Sequence, residues 1–291
     1  MQCFLCPRRC GVDRAVQPGF CGAMEMPSVA KIMLHHWEEP FLSGVNGSGT
    51  VFFSGCNLGC VFCQNHEIRD GGVGEYYNAE QLSSAYLSLQ AQGAHNINLV
   101  TAAHHVPIVA ESLRMAKGSG LSIPVVYNSG GYELVETLRL LDGLVDVYLP
   151  DIKYVSSELS ERFSGAPDYF TAASAAVEEM YRQVGDLVFD VGGIALRGLV
   201  IRHLVLPNCV EDSRKVLDYI VTRFPLSTQV SIMSQFTPQE HVTTFPLNRR
   251  ITPREYDRVI SYALSKGLYN ILIQQLNSAS AAYTPTFTDK Q

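Results

Sequence analysis

Cys56, Cys60 and Cys63 stand in TVFFSGCNLGCVFCQN with the spacing Cys-x3-Cys-x2-Cys. Three thiolates this close can hold three irons of a four-iron cluster, where ordinary clusters take four cysteines, so one iron is left to bind something other than protein. Gly55 and Gly59 let the backbone fold tightly around such a group, and Phe62, directly before the last cysteine, would shield a sulfur from water. The plainer reading is a zinc site or redox thiols, because short Cys-x2-Cys pairs recur in zinc folds, although structural zinc usually takes four protein ligands. A second array, Cys3, Cys6, Cys10 and Cys21, has no histidine nearby and suits zinc or a four-iron cluster equally. A metal there would order a segment with few apolar residues of its own.

Charged residues that interrupt apolar runs are the next candidates. Asp151-Ile-Lys153 closes such a run, and unpaired charge is costly there, so the pair reads as a salt bridge or as a ligand site. Arg202 and His203 interrupt another. Alternation along a strand puts the two on opposite faces, and an arginine facing a barrel lumen is a natural clamp for an anion or carboxylate. The adjacent histidine reads as a hydrogen-bonded packing residue, and Cys209 as a small buried apolar one.

The elements that must position these residues alternate between strand-like and helix-like runs. Val51–Ser54, Ile97–Thr101, Ile123–Asn128, Val145–Pro150, Leu199–Leu206 and Gln229–Met233 are short and almost continuously apolar, as strands buried on both faces should be. Asn78 and Gln81 form a capping-box signature ahead of Leu82, Ala85, Tyr86 and Leu89. Thr252 with Pro253 and Glu255 opens another helix, which Gly267 follows. Six β–α units in series make a parallel sheet, and six strands instead of eight predict an α/β fold of the partial (β/α)6 TIM-type barrel kind, with Asn270–Leu276 as an added edge strand. Residues 1–48 read as a small Cys-rich metal-binding extension and 49–291 as the barrel, joined through Ser43-Gly-Val-Asn-Gly-Ser-Gly49. In such barrels function gathers at the C-terminal ends of the strands.

The 291 residues are 46% hydrophobic and 17% charged, which describes a globular chain. A net charge of −6 argues against a broad nucleic-acid surface. No apolar run is long enough for a membrane span and the N-terminus lacks a signal-peptide core. Eight cysteines clustered at metal-like spacings in a chain this large point to a reducing cytoplasm.

With its strand before Cys56 and aromatic before Cys63, the triplet resembles that of the radical S-adenosylmethionine (SAM) superfamily, and most of all the branch of the pyruvate formate-lyase activating enzyme. The resemblance covers about residues 50 to 275 and implies a [4Fe-4S] cluster on Cys56, Cys60 and Cys63. Its open iron would chelate SAM, and reduction would release a 5′-deoxyadenosyl radical that abstracts hydrogen from a substrate. By the same resemblance Asp151-x-Lys153 and Arg202 contact SAM or substrate, Lys153 meeting the methionine carboxylate. Asn128 would suit the ribose or carboxylate. Many relatives carry a Gly-Gly-Glu turn after the second barrel strand to receive the SAM amine. Here Thr101-Ala-Ala-His104-His105 stands instead, so that glutamate is not carried over, and Thr101 and His104 are the substitutes able to accept from an amine. A flavodoxin- or ferredoxin-like reductant and a protein or peptide substrate, as for a glycyl-radical-enzyme activase, are further implications. A small-metabolite substrate, or a non-catalytic iron–sulfur carrier, is the alternative.

Overall fold

The computed structural model of the chain describes residues 2–238, 242–243, 245–274 and 285–287. Its strands are β1 (Ser28–His35), β2 (Ser48–Phe53), β3 (Glu75–Tyr76), β4 (Ile97–Val100), β5 (Val125–Ser129), β6 (Val147–Pro150), β7 (Val188–Phe189), β8 (Ala195–Leu204), β9 (Gln229–Met233) and β10 (Ile271–Ile273). Its helices are α1 (Pro40–Ser43), α2 (His66–Arg69), α3 (Ala79–Ala91), α4 (Val106–Gly118), α5 (Val135–Leu138), α6 (Ser157–Ser164), α7 (Tyr169–Val184), α8 (Val210–Arg223) and α9 (Pro253–Ser265). The sheet runs β10-β9-β8-β6-β5-β4-β2-β1-β3. Along that path every neighbour pair between β10 and β2 is parallel, β1 adds antiparallel to β2, and β7 pairs antiparallel with β8 off the path. The result is the partial TIM-type barrel.

Alternation along each strand sorts side chains into two layers. Val51, Leu99, Tyr127, Tyr148, Ile201 and Ile232 face outward and bury against Leu113, Met180, Leu217 and Val259 of the surrounding helices. The intervening residues face the lumen. Val126, Val147, Leu149 and Val200 close its lower part together with Leu42 of α1. Above them the inward positions become polar, with Asn98, Asn128 and Arg202, and that change marks the start of the site.

Both capping boxes form. The Asn78 side chain accepts from the Gln81 N–H at 2.8 Å while Gln81 Oε1 accepts from the Asn78 N–H at 2.9 Å, and Thr252 and Glu255 repeat the arrangement at α9. The edge strand expected at Asn270–Leu276 is the shorter β10, parallel to β9; residues 275–276 lie outside the described residues. The segment read as an N-terminal extension, residues 1–48, supplies β1, which pairs with β2 along its length. Among the described residues no helix is long and apolar enough to cross a membrane.

Candidate functional site

The Cys56–Cys63 loop leaves the end of β2 under tight steric control. Gly55 has φ +93°, and a Cβ there would stand 2.5 Å from the Cys21 carbonyl oxygen. The Gly55 N–H donates to Ile68 O at 2.7 Å and the Cys56 N–H to Cys21 O at 3.1 Å. Arg8 of the extension reaches across and donates to the carbonyls of Asn57 (2.9 Å), Leu58 (3.1 Å) and Ser164 (2.9 Å). The loop is thus held from below by Cys21 and from the side by Arg8.

The sulfurs receive donors. The Leu58 N–H points at Cys56 Sγ at 3.4 Å and the Ser164 hydroxyl at Cys60 Sγ at 3.1 Å. Burial pushes the Cys63 thiol up to about 12, with the neighbouring Cys56 and Cys60 adding to the effect, and burial raises Cys60 as well. Such thiols ionise readily only beside a cationic centre, which a metal cluster supplies. Sulfurs that already accept N–H and O–H bonds, as those of Cys56 and Cys60 do, fit an iron–sulfur cluster, whose properties such bonds tune. Phe62 packs edge-on against Tyr154, Phe163 and Phe236 at 6.0–6.5 Å and joins Cys60 in one apolar cluster. Among the described residues no three His, Cys, Asp or Glu side chains group as a metal-ion site; cluster cysteines bind separate irons and need no convergence on one ion.

The triplet forms part of the wall of a cavity of about 430 Å³ that also displays Thr101, Asn128, Asp151, Lys153 and Arg202, a volume within the range of small-molecule sites. Asp151 stands between two cations: Arg202 Nε donates to its Oδ1 at 2.9 Å, and Lys153 Nζ pairs with Oδ2. Burial works to raise the Asp151 carboxyl, but Arg202 and Lys153 prevail and hold it below its ordinary value. Lys153 is also buried, which would lower it, and Asp151 more than reverses this. Arg202 Nη2 donates to Asn128 Oδ1 at 2.7 Å. The Tyr169 hydroxyl lies 2.9 Å from the carbonyls of Gly130 and Asp151 and accepts from the Lys153 N–H at 3.0 Å, which fixes the backbone under these charges.

Thr101 adopts φ +61°, a backbone conformation that β-branched residues rarely take and that marks functional sites when it occurs. His104 sits elsewhere than expected. It is absent from the cavity wall; its Nε2 is 2.9 Å from the Ser54 carbonyl, and burial lowers its pKa to about 4. The short turn Ala103–His105 carries both rings beneath the cluster loop, where Arg14 donates to the His104 carbonyl and lies 3.1 Å from His105 Nδ1. His104 therefore supports the loop, and its ring lies outside the wall of the cavity where a SAM contact was expected. His203 faces outward, as alternation predicts, with Nδ1 2.8 Å from Ile152 O and Nε2 2.9 Å from Ser213 Oγ.

In the extension, Cys3 and Cys10 interact through their side chains, Cys21 lies close to both, and burial pushes Cys6 up to about 11. Gly19 lies against two of these sulfurs: a Cβ would come within 3.4 Å of Cys21 Sγ and 3.5 Å of Cys10 Sγ. Cys10 and Cys21 thus lie together beside Gly19, and the Cys21 carbonyl also accepts from the Cys56 N–H at the start of the cluster loop.

Glu38 was not expected. Its Oε1 accepts from Asn98 Nδ2 at 2.9 Å and Asn128 Nδ2 at 3.4 Å, its Oε2 is 3.8 Å from Arg202, and burial raises its pKa. Two adjacent glutamates before Pro40, within the segment read as an extension, are the available signal. Their route into the lumen depends on β1 pairing with β2.

The profile of the Radical SAM superfamily matches residues 50–191. An uncharacterized protein of Methanocaldococcus jannaschii, MJ0674, is 32% identical over 270 residues, which is 90% of this chain and 74% of that protein. Among solved structures, methylornithine synthase (PylB) superposes with a TM-score of 0.48 at 17% identity, over 72% of this chain and 60% of that one.

Proposed function

This chain belongs to the radical SAM superfamily, and from that premise we propose that it abstracts hydrogen from a protein or peptide, in the manner of an activase for a glycyl-radical enzyme. The observation behind this reading is a single cavity wall that carries Cys56, Cys60 and Cys63 together with Asp151, Lys153 and Arg202. When bound, a [4Fe-4S] cluster on the three cysteines and SAM supply one-electron cleavage of a sulfonium bond, leaving a carbon radical able to take hydrogen. The residues bind, orient and exclude water. Asp151 keeps Lys153 protonated, so its ammonium is available to a carboxylate. Arg202, fixed by Asp151 and Asn128, holds that carboxylate side chain in place. Phe52, Leu58, Phe62 and Val100 give the same cavity an apolar lining, which keeps water from a reactive intermediate. A flavodoxin- or ferredoxin-like donor is the proposed source of the electron.

The test is anaerobic reconstitution with iron and sulfide, addition of SAM and a strong reductant, and quantification of 5′-deoxyadenosine by mass spectrometry. Product is expected, and Cys60→Ala should abolish it. A fully iron-loaded chain that binds no SAM would refute the enzymatic reading and favour an electron carrier. For the substrate, incubation with a glycyl-radical enzyme should yield a glycine-centred EPR doublet; SAM cleavage coupled instead to a small metabolite would overturn the protein-substrate part.

The N-terminal cysteines are proposed to hold a second metal, zinc or another cluster. The closeness of Cys10 and Cys21 at Gly19 supports this, and elemental analysis of the purified chain, with and without Cys6→Ala and Cys21→Ala, tests it.

A further inference from the structure

The mouth of the cavity is closed on one side by a piece of the chain itself. Pro285, Thr286 and Phe287 line the same cavity as the cysteine triplet. The Phe287 ring is 7% exposed; it meets Phe52 edge-on at 5.3 Å and shares an apolar cluster with Ile68 and Val100. Each of these walls adjoins the candidate chemistry. Phe52 lies just before the cluster loop, Ile68 on α2 just after it, and Val100 next to Thr101. The backbone of the segment is held by charged side chains. Lys31 Nζ donates to the Thr286 carbonyl at 2.6 Å, and the Phe287 N–H donates to Glu67 Oε2 at 3.3 Å.

An ammonium on a carbonyl, a carboxylate on an amide N–H, and one aromatic side chain in an apolar slot are how an extended peptide is recognised, with main-chain bonds giving affinity and the slot giving selectivity. Nothing in these contacts requires the peptide to belong to the same chain. We propose that this mouth is a peptide-binding slot selective for an aromatic side chain, that Pro285–Thr286–Phe287 occupies it in cis, and that an extended segment of the protein substrate enters by displacing them. Naming that segment a substrate rests on the function proposed above; the slot itself does not. A tethered segment competes at an effective concentration of about 1 mM, so an incoming peptide prevails only by adding contacts beyond the slot. Such competition would admit a specific partner and exclude casual aromatic peptides.

The test titrates fluorescein-labelled Thr-Pro-Thr-Phe-Thr amide into full-length, iron-loaded protein without SAM or reductant, read by anisotropy and by emission of Trp37, the single tryptophan, which lines the same cavity. Phe287→Ala should bind the peptide at least about tenfold more tightly than the parent chain, and replacing the peptide's phenylalanine by alanine should remove about the same factor, as expected for burying one aromatic side chain. Adding Lys31→Met to Phe287→Ala should weaken binding again, with the circular dichroism unchanged. Equal affinity for the parent chain and Phe287→Ala, or no saturable binding by a folded Phe287→Ala, overturns the proposal. Because no SAM is present, a slot found without SAM cleavage would retire only the enzymatic reading, and cleavage without a slot only this one.

Discussion

Asp151→Asn offers a sharp test of how the lumen is held. The carboxylate is 8% exposed and touches two buried cations, Arg202 at 2.9 Å and Lys153. Asparagine keeps the shape and removes the charge. Arg202 would retain Asn128 and the more distant Glu38, whereas Lys153 would lose the carboxylate it pairs with. Removing one member of a buried pair costs about 3–5 kcal/mol, most of it from the charge left behind. For a chain of this size each kcal/mol lowers Tm by roughly 2 °C, so thermal unfolding followed by far-UV circular dichroism at pH 7 should drop by about 6–10 °C. Adding Lys153→Met removes the stranded ammonium and should restore about half of the loss, a coupling readable as a double-mutant cycle. The pH dependence has a fixed sign. Because the folded carboxyl is held below its ordinary value of about 3.9, its contribution is complete above that value and disappears as pH falls through the lower folded one. The gap between parent and Asp151→Asn should therefore be constant from neutrality to about pH 5 and close in acid. A double variant less stable than Asp151→Asn, or a gap that widens in acid, would refute the reasoning.

The remaining predictions concern the cluster loop. Gly55→Ala meets both a φ of +93° and the Cys21 carbonyl; a strained backbone of this kind costs about 1–3 kcal/mol, and the variant should retain less than half of the parent's iron after desalting. Arg8→Ala removes the guanidinium that ties Asn57 and Leu58 to Ser164; charge-assisted bonds are worth about 1.5–3 kcal/mol each when buried, so faster iron loss to a chelator is expected while SAM-independent folding persists. Burial holds His104 neutral with a pKa of about 4, below its unfolded value of about 6.5. Its contribution is thus present above pH 6.5 and lost as pH falls toward 4, up to about 3 kcal/mol, and His104→Gln should flatten that part of the stability profile.

Which features could be read from the sequence follows physical lines. Gln229–Met233 was found at its observed limits because it is buried on both faces and bounded by loop residues, and the two capping boxes follow from local hydrogen-bond chemistry within four residues. Cys56, Cys60, Cys63, Asn128, Asp151, Lys153 and Arg202 share the cavity wall, since a residue at the end of a barrel strand has little choice of direction. β1 escaped notice because its middle positions are only half-buried and its place depends on a partner strand across a loop. The ring of His104 departs from expectation for a related reason. The position of its residue at the end of β4 is local, but the direction of its ring is set by the short turn and by Arg14, 90 residues away. Glu38 meets partners on three strands, and no pattern along the chain brings them together. α7 lacks a side-chain cap on Asp168, so its start carried no punctuation.

The bond from the Cys56 N–H to the Cys21 carbonyl also makes the two cysteine segments one mechanical unit. It runs from backbone to backbone, so a shift of the chain at Cys21 is passed directly to the first residue of the Cys56–Cys63 loop, with no side chain between them to absorb it. The order of the loop is thus conditioned by the order of a segment far from it in sequence.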